Sequence, residues 1–463
     1  MALVESFSGI RGIYGEDLTD SLAVKYAYSY CSFLKSKTKK NSVTIVIGMD
    51  TRASGVKLAD VIMGILDCNF IDVGIAPTPA IEFAVRHFNA DGGIIITASH
   101  NEPYWNGFKF LNNDGSILGE NDINIVINNS KTFRDFHKIH ERKILEKNAE
   151  TIKEYTEFIL NIIGKENIER IKNSNQKIVI DPNGGTAMIA KKILEQTGVE
   201  VIGVNMNYGE FNRIVEPNED SLIYLKNIID DNKADFAAGF DCDADRVEIL
   251  MGNGQLVSGH YLLALVVDEI LSNSKNPKGR AIVINDATSG LVREIASKYG
   301  AKIIEVEVGE TNVIQEMEKR KAVAGGEGSS GGVIMPPSKC RDGILTLLAI
   351  LSIAAKKEKK LHDIIEELPK YYTLRKKIEF DKEKHNNIKN HLKDYYSKNN
   401  FEIKETGDIK GGLKAITGKN SFIWFRASRT EGNIFRIIID SNDKKEAEKL
   451  MHEAIEVFKN ANE

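Results

Sequence analysis

The sequence predicts an α/β protein: three similar α/β domains with mixed, mostly parallel sheets, followed by a C-terminal α+β domain. Three observations carry that expectation. Short β-rich apolar runs ending in Gly or Asp recur with helical patterns between them: "VTIVIGMD", "GGIIITAS", "KIVIDPNGG", "DFAAGFD", "AIVIND" and "AKIIEVEVG". Strands alternating with helices build parallel sheets covered on both faces, with functional loops at the carboxyl ends of the strands. At 463 residues the chain also exceeds what one hydrophobic core organises. Past residue 368 the alternation stops.

The elements divide the chain at 1–149, 150–254, 255–367 and 368–463. The charged helical stretch "TIKEYTEFILNIIGKENIERIKN" ends the first strand set, and "QKIVIDPNGG" opens the second. A further break follows "MGNGQLVSG". In the third domain "GILTLLAILSIAA" is too short to span a bilayer and reads as a buried helix. After the lysine-rich "AAKKEKKLHDIIEELPKYY", the strands "SFIWFRAS" and "NIFRIIID" lead into "DKKEAEKLMHEAIEVFKNA". There Ala447, Leu450, Met451, Ala454, Ile455 and Phe458 keep helical spacing.

Composition narrows the function. With 42% hydrophobic and 28% charged residues and a net charge of -4, the chain reads as globular, without the basic patch that a nucleic-acid or membrane surface requires. Phosphate chemistry must then rely on local Arg and Lys. Cys31, Cys68, Cys242 and Cys340 lie far apart and form no Cys-x-x-Cys pair, so neither a disulfide framework nor a zinc knuckle is expected. The opening "MALVESFSGIRG" has no signal-peptide pattern, and a reducing cytoplasm is the expected compartment.

Four loops carry candidate chemistry. Ser99 stands where the apolar run "GIIIT" stops, either as a nucleophile held rigidly at a strand end or as an ordinary turn and cap with Asn101. It lacks the flanking glycines of a hydrolase elbow, and His100 is expected on the opposite side of an extended chain. In "GFDCDADR", Asp241, Asp243 and Asp245 recur at a period of two, so an extended loop turns three carboxylates to one side, where hard oxygen ligands suit magnesium. An EF-hand fails, because its sixth position would be Arg246 and its twelfth Gly252. "GGEGSSGG" offers Glu327, Ser329 and Ser330 to sugar hydroxyls, although such runs also serve as flexible loops. "RASRTEGNIFR" offers Arg426, Ser428, Arg429 and Thr430 to a phosphate dianion, or is a charged hairpin turn.

Taken together, "SGIRG", "TASHN", "NGFKF", "DCDADR", "GEGSSGG" and "RASRTEG", in this order across nearly the whole chain, resemble the α-D-phosphohexomutase superfamily of phosphoglucomutases, phosphomannomutases and phosphoglucosamine mutases. The resemblance implies four domains around a central cleft and an enzyme that interconverts hexose 1-phosphate and hexose 6-phosphate through a phosphoserine and a hexose 1,6-bisphosphate. By that likeness Ser99 is the phosphoserine, and Asp241, Asp243 and Asp245 with the Ser99 oxygen hold one Mg2+. Arg11 and Lys109 serve proton transfer and charge stabilisation, and His100 and Arg246 support phosphate contact. Glu327 and Ser329 bind sugar hydroxyls, and Arg426, Ser428 and Thr430 bind the distal phosphate, where Arg429, an addition to the family pattern, is expected to strengthen anion binding. Mannose and glucose phosphates are the favoured substrates, phosphoglucosamine the alternative, and a monomer or homodimer the expected assembly.

The chain departs from the family pattern at four places. Glu102 intervenes before Pro103, Gly331 stands where a histidine is frequent, and Arg429 and Gly432 replace the usual small residue and proline. A non-catalytic phosphosugar-binding paralogue would have lost the serine or the aspartates, which are all retained. A metal-dependent phosphatase would need neither a sugar loop nor a second phosphate clamp.

Overall fold

The computed structural model describes residues 3–6, 9–132, 142–428 and 433–462. The chain forms two compact units, one of residues 1–258 with 330–361 and the other of 259–329 with 362–463.

In the first unit a seven-stranded sheet runs in the order Val4–Ser6, Gly9–Ile13, Trp105–Leu111, Gly92–Ile96, Thr44–Met49, Asn69–Ile75, Ile144–Glu146. One half, from Gly92–Ile96 outward through Thr44–Met49, is parallel; the other half is antiparallel. A second sheet, ordered Leu256–Val257, Val247–Met251, Phe236–Phe240, Lys177–Asp181, Glu200–Gly203, divides the same way. The sheets are thus mixed, with fewer parallel pairs than alternation alone suggests. The reason lies in the connections. The chain returns from Gly92–Ile96 to Trp105–Leu111, and from Phe236–Phe240 to Val247–Met251, through loops too short for a crossover helix, so each return is antiparallel. Both returning loops are candidate functional segments.

Large apolar side chains pack under the first sheet, among them Tyr26, Tyr30, Phe70, Phe108 and Phe110. Gly107 allows the tight pairing of the return strand, because a Cβ there would come 2.1 Å from the Ile10 carbonyl oxygen. The helix Gly343–Lys357 is buried along almost its whole length and packs on Asn148–Ile163 and Lys165–Asn173, which brings residues 330–361 into this unit. Among the described residues no helix is long and apolar enough to cross a membrane.

The second unit holds the parallel strands Lys302–Val306, Ala281–Asn285 and Ala324–Gly326, with Ala281–Asn285 in the middle. It also holds an antiparallel sheet ordered Tyr372–Glu379, Ile434–Ser441, Ser421–Ala427, Leu413–Gly418, Glu402–Glu405. Helices His385–Lys398 and Lys444–Asn462 cover one face of that sheet around Phe425, Ile437, Ile439 and Phe458, as the spacing of Ala447, Leu450, Ala454 and Phe458 predicts. Phe422, Trp424 and Ile438 on the other face meet Ala287. The four cysteines are all buried and none is in a disulfide.

Candidate active site

Ser99 lies three residues past the end of Gly92–Ile96, 1% exposed, and takes a left-handed backbone with φ 52°. That conformation costs a non-glycine residue about 1–3 kcal/mol and persists only when its surroundings over-determine it. Here the Thr97 hydroxyl accepts from the Ser99 N–H at 2.8 Å, and the buried Arg52 guanidinium donates to the carbonyls of Ser99, at 2.9 Å, and of Asn101. The chain therefore turns at Ser99 and does not continue extended. His100 consequently stays beside the nucleophile, with its Nδ1 3.4 Å from the Ser99 hydroxyl, contrary to the opposite-side expectation. Burial and the cations Arg246 and Arg11 push the His100 imidazole well below its ordinary pKa, so it is neutral.

The three aspartates converge by a turn as well. Ala244 is left-handed at φ 59° and its N–H donates to the Asp241 carbonyl at 3.3 Å, so period two alone does not describe the loop. One carboxylate oxygen from each of Asp241, Asp243 and Asp245 lies within 4.8 Å of the others, and all three residues are at most 1% exposed. Among the described residues, Asp243 Oδ1 and Asp245 Oδ1 are buried without a hydrogen-bond partner. Such orphaned acceptors are rare, and an all-oxygen donor set with two of them fits a hard divalent cation such as magnesium. The Ser99 hydroxyl is 3.4 Å from Asp241 Oδ2. Burial and the neighbouring Asp245 and Asp243 drive the Asp241 carboxyl far up from its usual range. Asp245, opposed by the same burial, is held well down by Arg341, Lys109 and Arg246.

Cations ring these carboxylates. Lys109, on the return strand opposite Ile95, donates to Asp243 Oδ2 at 2.8 Å and to Asp245 Oδ2 at 3.2 Å. Thr78 adds a hydroxyl bond to Asp243 at 2.7 Å. Arg246 Nε stands 3.7 Å from Asp241 and 3.6 Å from Asp245. Arg11 donates to the Asn101 side chain at 3.0 Å, and burial with the repulsion of Arg246 pushes its pKa down to about 10. Glu102 is turned toward the Val215 N–H, 3.4 Å away, where it ties the serine loop to the second sheet's surroundings. The structure thus brings Ser99, His100, Arg11, Lys109, Arg246 and the three aspartates together in one unit.

Three contributors were not read from the sequence, the first being Thr78, whose hydroxyl donates to Asp243. Arg341 donates to Asp245 Oδ2 at 3.0 Å and to the Ser330 hydroxyl at 3.1 Å. Nothing local in "SKCRDG" signals this, since the contact depends on residues 330–361 joining the first unit. Arg52 was legible in principle, because "VTIVIGMDTR" places it just past a strand end, where the other candidates were sought.

In the second unit Glu327 follows the strand Ala324–Gly326, 9% exposed. Its Oε1 accepts from the Gly309 N–H at 2.8 Å and from Asn285 Nδ2 at 3.1 Å. The next peptide is fixed by the Thr288 hydroxyl, which accepts from Gly328 N at 3.2 Å. A Cβ at Gly328 would lie 2.1 Å from His260 Nδ1, so a buried imidazole sits under this loop while Gly331 supplies only backbone. Ser329 is exposed, and its carbonyl accepts from Arg375 at 3.3 Å. Arg426 donates to Glu307 Oε1 at 2.8 Å, two residues before the Gly309 that holds Glu327. Ser428 follows its strand, with its N–H on the Ile434 carbonyl at 2.8 Å; Arg429 and Thr430 lie outside the described residues.

The chain matches three phosphoglucomutase/phosphomannomutase family models: α/β/α domain I over residues 5–135, domain II over 153–254 and domain III over 258–372. It is 35% identical to a phosphoglucomutase/phosphomannomutase of Thermococcus kodakarensis, covering 98% of each chain. A probable phosphoglucosamine mutase of Pyrococcus horikoshii is 32% identical, over 98% of this chain and 97% of the relative. A crystal structure of a phosphoglucomutase/phosphomannomutase family protein from Burkholderia thailandensis shares the fold with a TM-score of 0.81 at 20% identity, covering 98% of this chain and 97% of that one. With its family domains matched in order and relatives alike over nearly their whole length, the chain belongs to the α-D-phosphohexomutase superfamily and is a phosphosugar mutase, an intramolecular phosphotransferase.

Proposed function

We propose that the protein interconverts hexose 1-phosphate and hexose 6-phosphate, with mannose and glucose phosphates as favoured substrates, Ser99 as the phosphoryl carrier and a hexose 1,6-bisphosphate as intermediate. The observation that carries this reading is the buried Ser99 hydroxyl, 3.4 Å from Asp241, at a triad with two buried carboxylate oxygens that accept no hydrogen bond from the described residues. Asp241, Asp243 and Asp245 would hold one Mg2+ with the Ser99 oxygen. Bound there, magnesium supplies divalent charge that offsets the phosphoryl oxygens.

The residues around the serine divide the remaining work. A phosphoserine carries about -1.5 to -2 charges, so Arg11, Lys109 and Arg246 are needed to let a second phosphate approach. Phosphoryl transfer passes through a loose transition state that asks chiefly for alignment and charge stabilisation, which rigid, buried cations provide without reorganising. In the first half-reaction the Ser99 Oγ–P bond breaks as a sugar O–P bond forms, and the proton of the attacking sugar hydroxyl ends on Ser99 Oγ; in the second the sugar's other O–P bond breaks as the Ser99 Oγ–P bond forms again, and the serine proton ends on the departing sugar oxygen. Arg11 and Lys109 are the proton-exchanging candidates at Ser99 Oγ; neutral His100, 3.4 Å away, supports the same oxygen. Glu327 and Ser329 engage sugar hydroxyls, and Arg426 and Ser428, with Arg429 and Thr430, hold the non-reacting phosphate. For Arg426 that means exchanging its Glu307 partner for the phosphate. In this reading the chain has four domains, 1–149, 150–254, 255–367 and 368–463, each carrying one of the four loops.

The test is to supply magnesium, a trace of hexose 1,6-bisphosphate and, separately, the 1-phosphates of glucose, mannose, glucosamine and N-acetylglucosamine, then to measure 6-phosphate and free phosphate. Isomer formation from glucose and mannose phosphates is expected. Free phosphate without isomer overturns the mutase mechanism. Faster turnover of glucosamine 1-phosphate, the activity in the name of the Pyrococcus relative, overturns the substrate assignment alone.

A further inference from the structure

Three carbonyls and a thiol near the serine and aspartate loops converge on one short turn, Asp50-Thr51-Arg52, which the phosphoryl chemistry does not use. The turn begins where Thr44–Met49 ends, beside the neighbouring strand Gly92–Ile96, and the Asp50 N–H donates to the Ile96 carbonyl at 3.0 Å. Asp50 Oδ1 accepts from the Arg52 N–H at 2.9 Å, and Oδ2 pairs with Arg52 Nη1. The other arm of the guanidinium, Nη2, donates to the carbonyls of Ser99 and Asn101. Both side chains of the pair are wholly buried, so water does not compete. Thr51, between them, places its hydroxyl 3.6 Å from the Cys242 thiol, within the aspartate loop. One rigid turn therefore touches both the backbone that presents the nucleophile and the loop that carries the metal ligands.

We infer that Arg52, held by Asp50, is a positioning residue that keeps Ser99 in its left-handed conformation and so aims its hydroxyl at the Asp241–Asp243–Asp245 cluster. The inference rests on Ser99 being the phosphoryl carrier. A serine at φ 52° relaxes toward ordinary backbone unless its flanking carbonyls are pinned, and a planar guanidinium fixed by Asp50 through one nitrogen holds its other nitrogen on both carbonyls, a rigid geometry that a compact ammonium on a flexible stem does not reproduce. Arg52 touches no reacting atom; it acts through the loop.

The experiment follows phosphate uptake by Ser99 from hexose 1,6-bisphosphate by quenched-flow intact mass, with magnesium affinity by calorimetry and thermal unfolding measured on the same proteins. Arg52→Lys keeps the charge beside Asp50 and loses the fork. The double variant Arg52→Met/Asp50→Asn removes both charges, so no carboxylate is left buried and unpaired. Displacing the nucleophile by about 1 Å costs about 10²-fold in rate, so uptake and kcat should fall by about that factor in Arg52→Lys, with KM unchanged and magnesium affinity, which the three aspartates still supply, falling far less than uptake. Wild-type uptake in either variant, folded by its melting transition, overturns the inference. So does a loss of uptake matched by an equal loss of magnesium binding, which marks general collapse of the site. Ser99→Ala separates the underlying reading: phosphate uptake by that variant would show that Ser99 is not the carrier, whatever Arg52 does.

Discussion

Asp243 shows how much a single residue can hold at this site. One of its oxygens takes Lys109 and Thr78, and the other is buried with no donor among the described residues. Asp243→Asn keeps the shape and halves the donor power. Losing even a supporting partner of a metal site costs about 10–100-fold in affinity, so magnesium binding should weaken by at least that much; unchanged binding in calorimetry would remove the metal assignment. Arg426 is a second case, since its guanidinium is the described cation of the proposed distal clamp. A hydrogen bond to a charged group is worth about 1.5–3 kcal/mol, so Arg426→Ala should raise KM for the hexose phosphate about 10- to 100-fold with a smaller change in kcat. Steady-state kinetics check it, and an unchanged KM would place the clamp elsewhere. His100 illustrates what residue types alone conceal: its neighbour's φ, and not its own identity, puts it beside the hydroxyl.

At the scale of elements, residues 330–361 tie into the first unit through two acidic groups that titrate in opposite senses. Burial opposes the Asp114 carboxylate, but Lys339 at 2.7 Å and Ser116 hold its pKa down to about 2, against 3.8 for an unperturbed group. Its folded value is depressed, so the stability it contributes is present above pH 3.8 and lost as pH falls through about 2. Asp342 is the reverse. It caps the helix Gly343–Lys357 through Leu345 N and accepts from the Tyr155 hydroxyl, yet complete burial raises its pKa to about 6. Stability from its protonated form is full below pH 3.8 and is lost as pH rises through about 6. Denaturant titrations across pH should therefore show Asp114→Asn flattening the acid limb near pH 2–4, and Asp342→Asn gaining on the wild type as pH rises from 3.8 to about 6 and holding that gain above it. Parallel curves for variant and wild type would refute the assignments. The buried helix itself was readable from "GILTLLAILSIAA"; its partners, Asn148–Ile163 and Lys165–Asn173, were not, because apolarity on every side carries no direction.

For the whole molecule, chain order and compactness disagree. A chain cut after Ser258 keeps Ser99 and every aspartate of the triad but loses Gly343–Lys357, so it exposes the apolar faces that this helix covers. Such a fragment should bind a hydrophobic dye strongly and sediment as an aggregate, whereas adding residues 330–361 in trans or through a linker should restore a compact species; a monodisperse, dye-silent fragment would contradict this packing. The alternation of strands and helices, the terminal α+β segment and the order of the four motifs were all legible in the chain, since periodicity and residue type are local properties. Those properties were enough to single out Ser99, the aspartates and Glu327, while Lys109 was marked by the family resemblance. Only the folded chain decided that the serine and aspartate loops are hairpin returns, that Ser99 and Ala244 are left-handed, and that Arg52 and Arg341 reach the site. The physical reason is that these features depend on contacts between residues far apart in the chain, which no local pattern encodes.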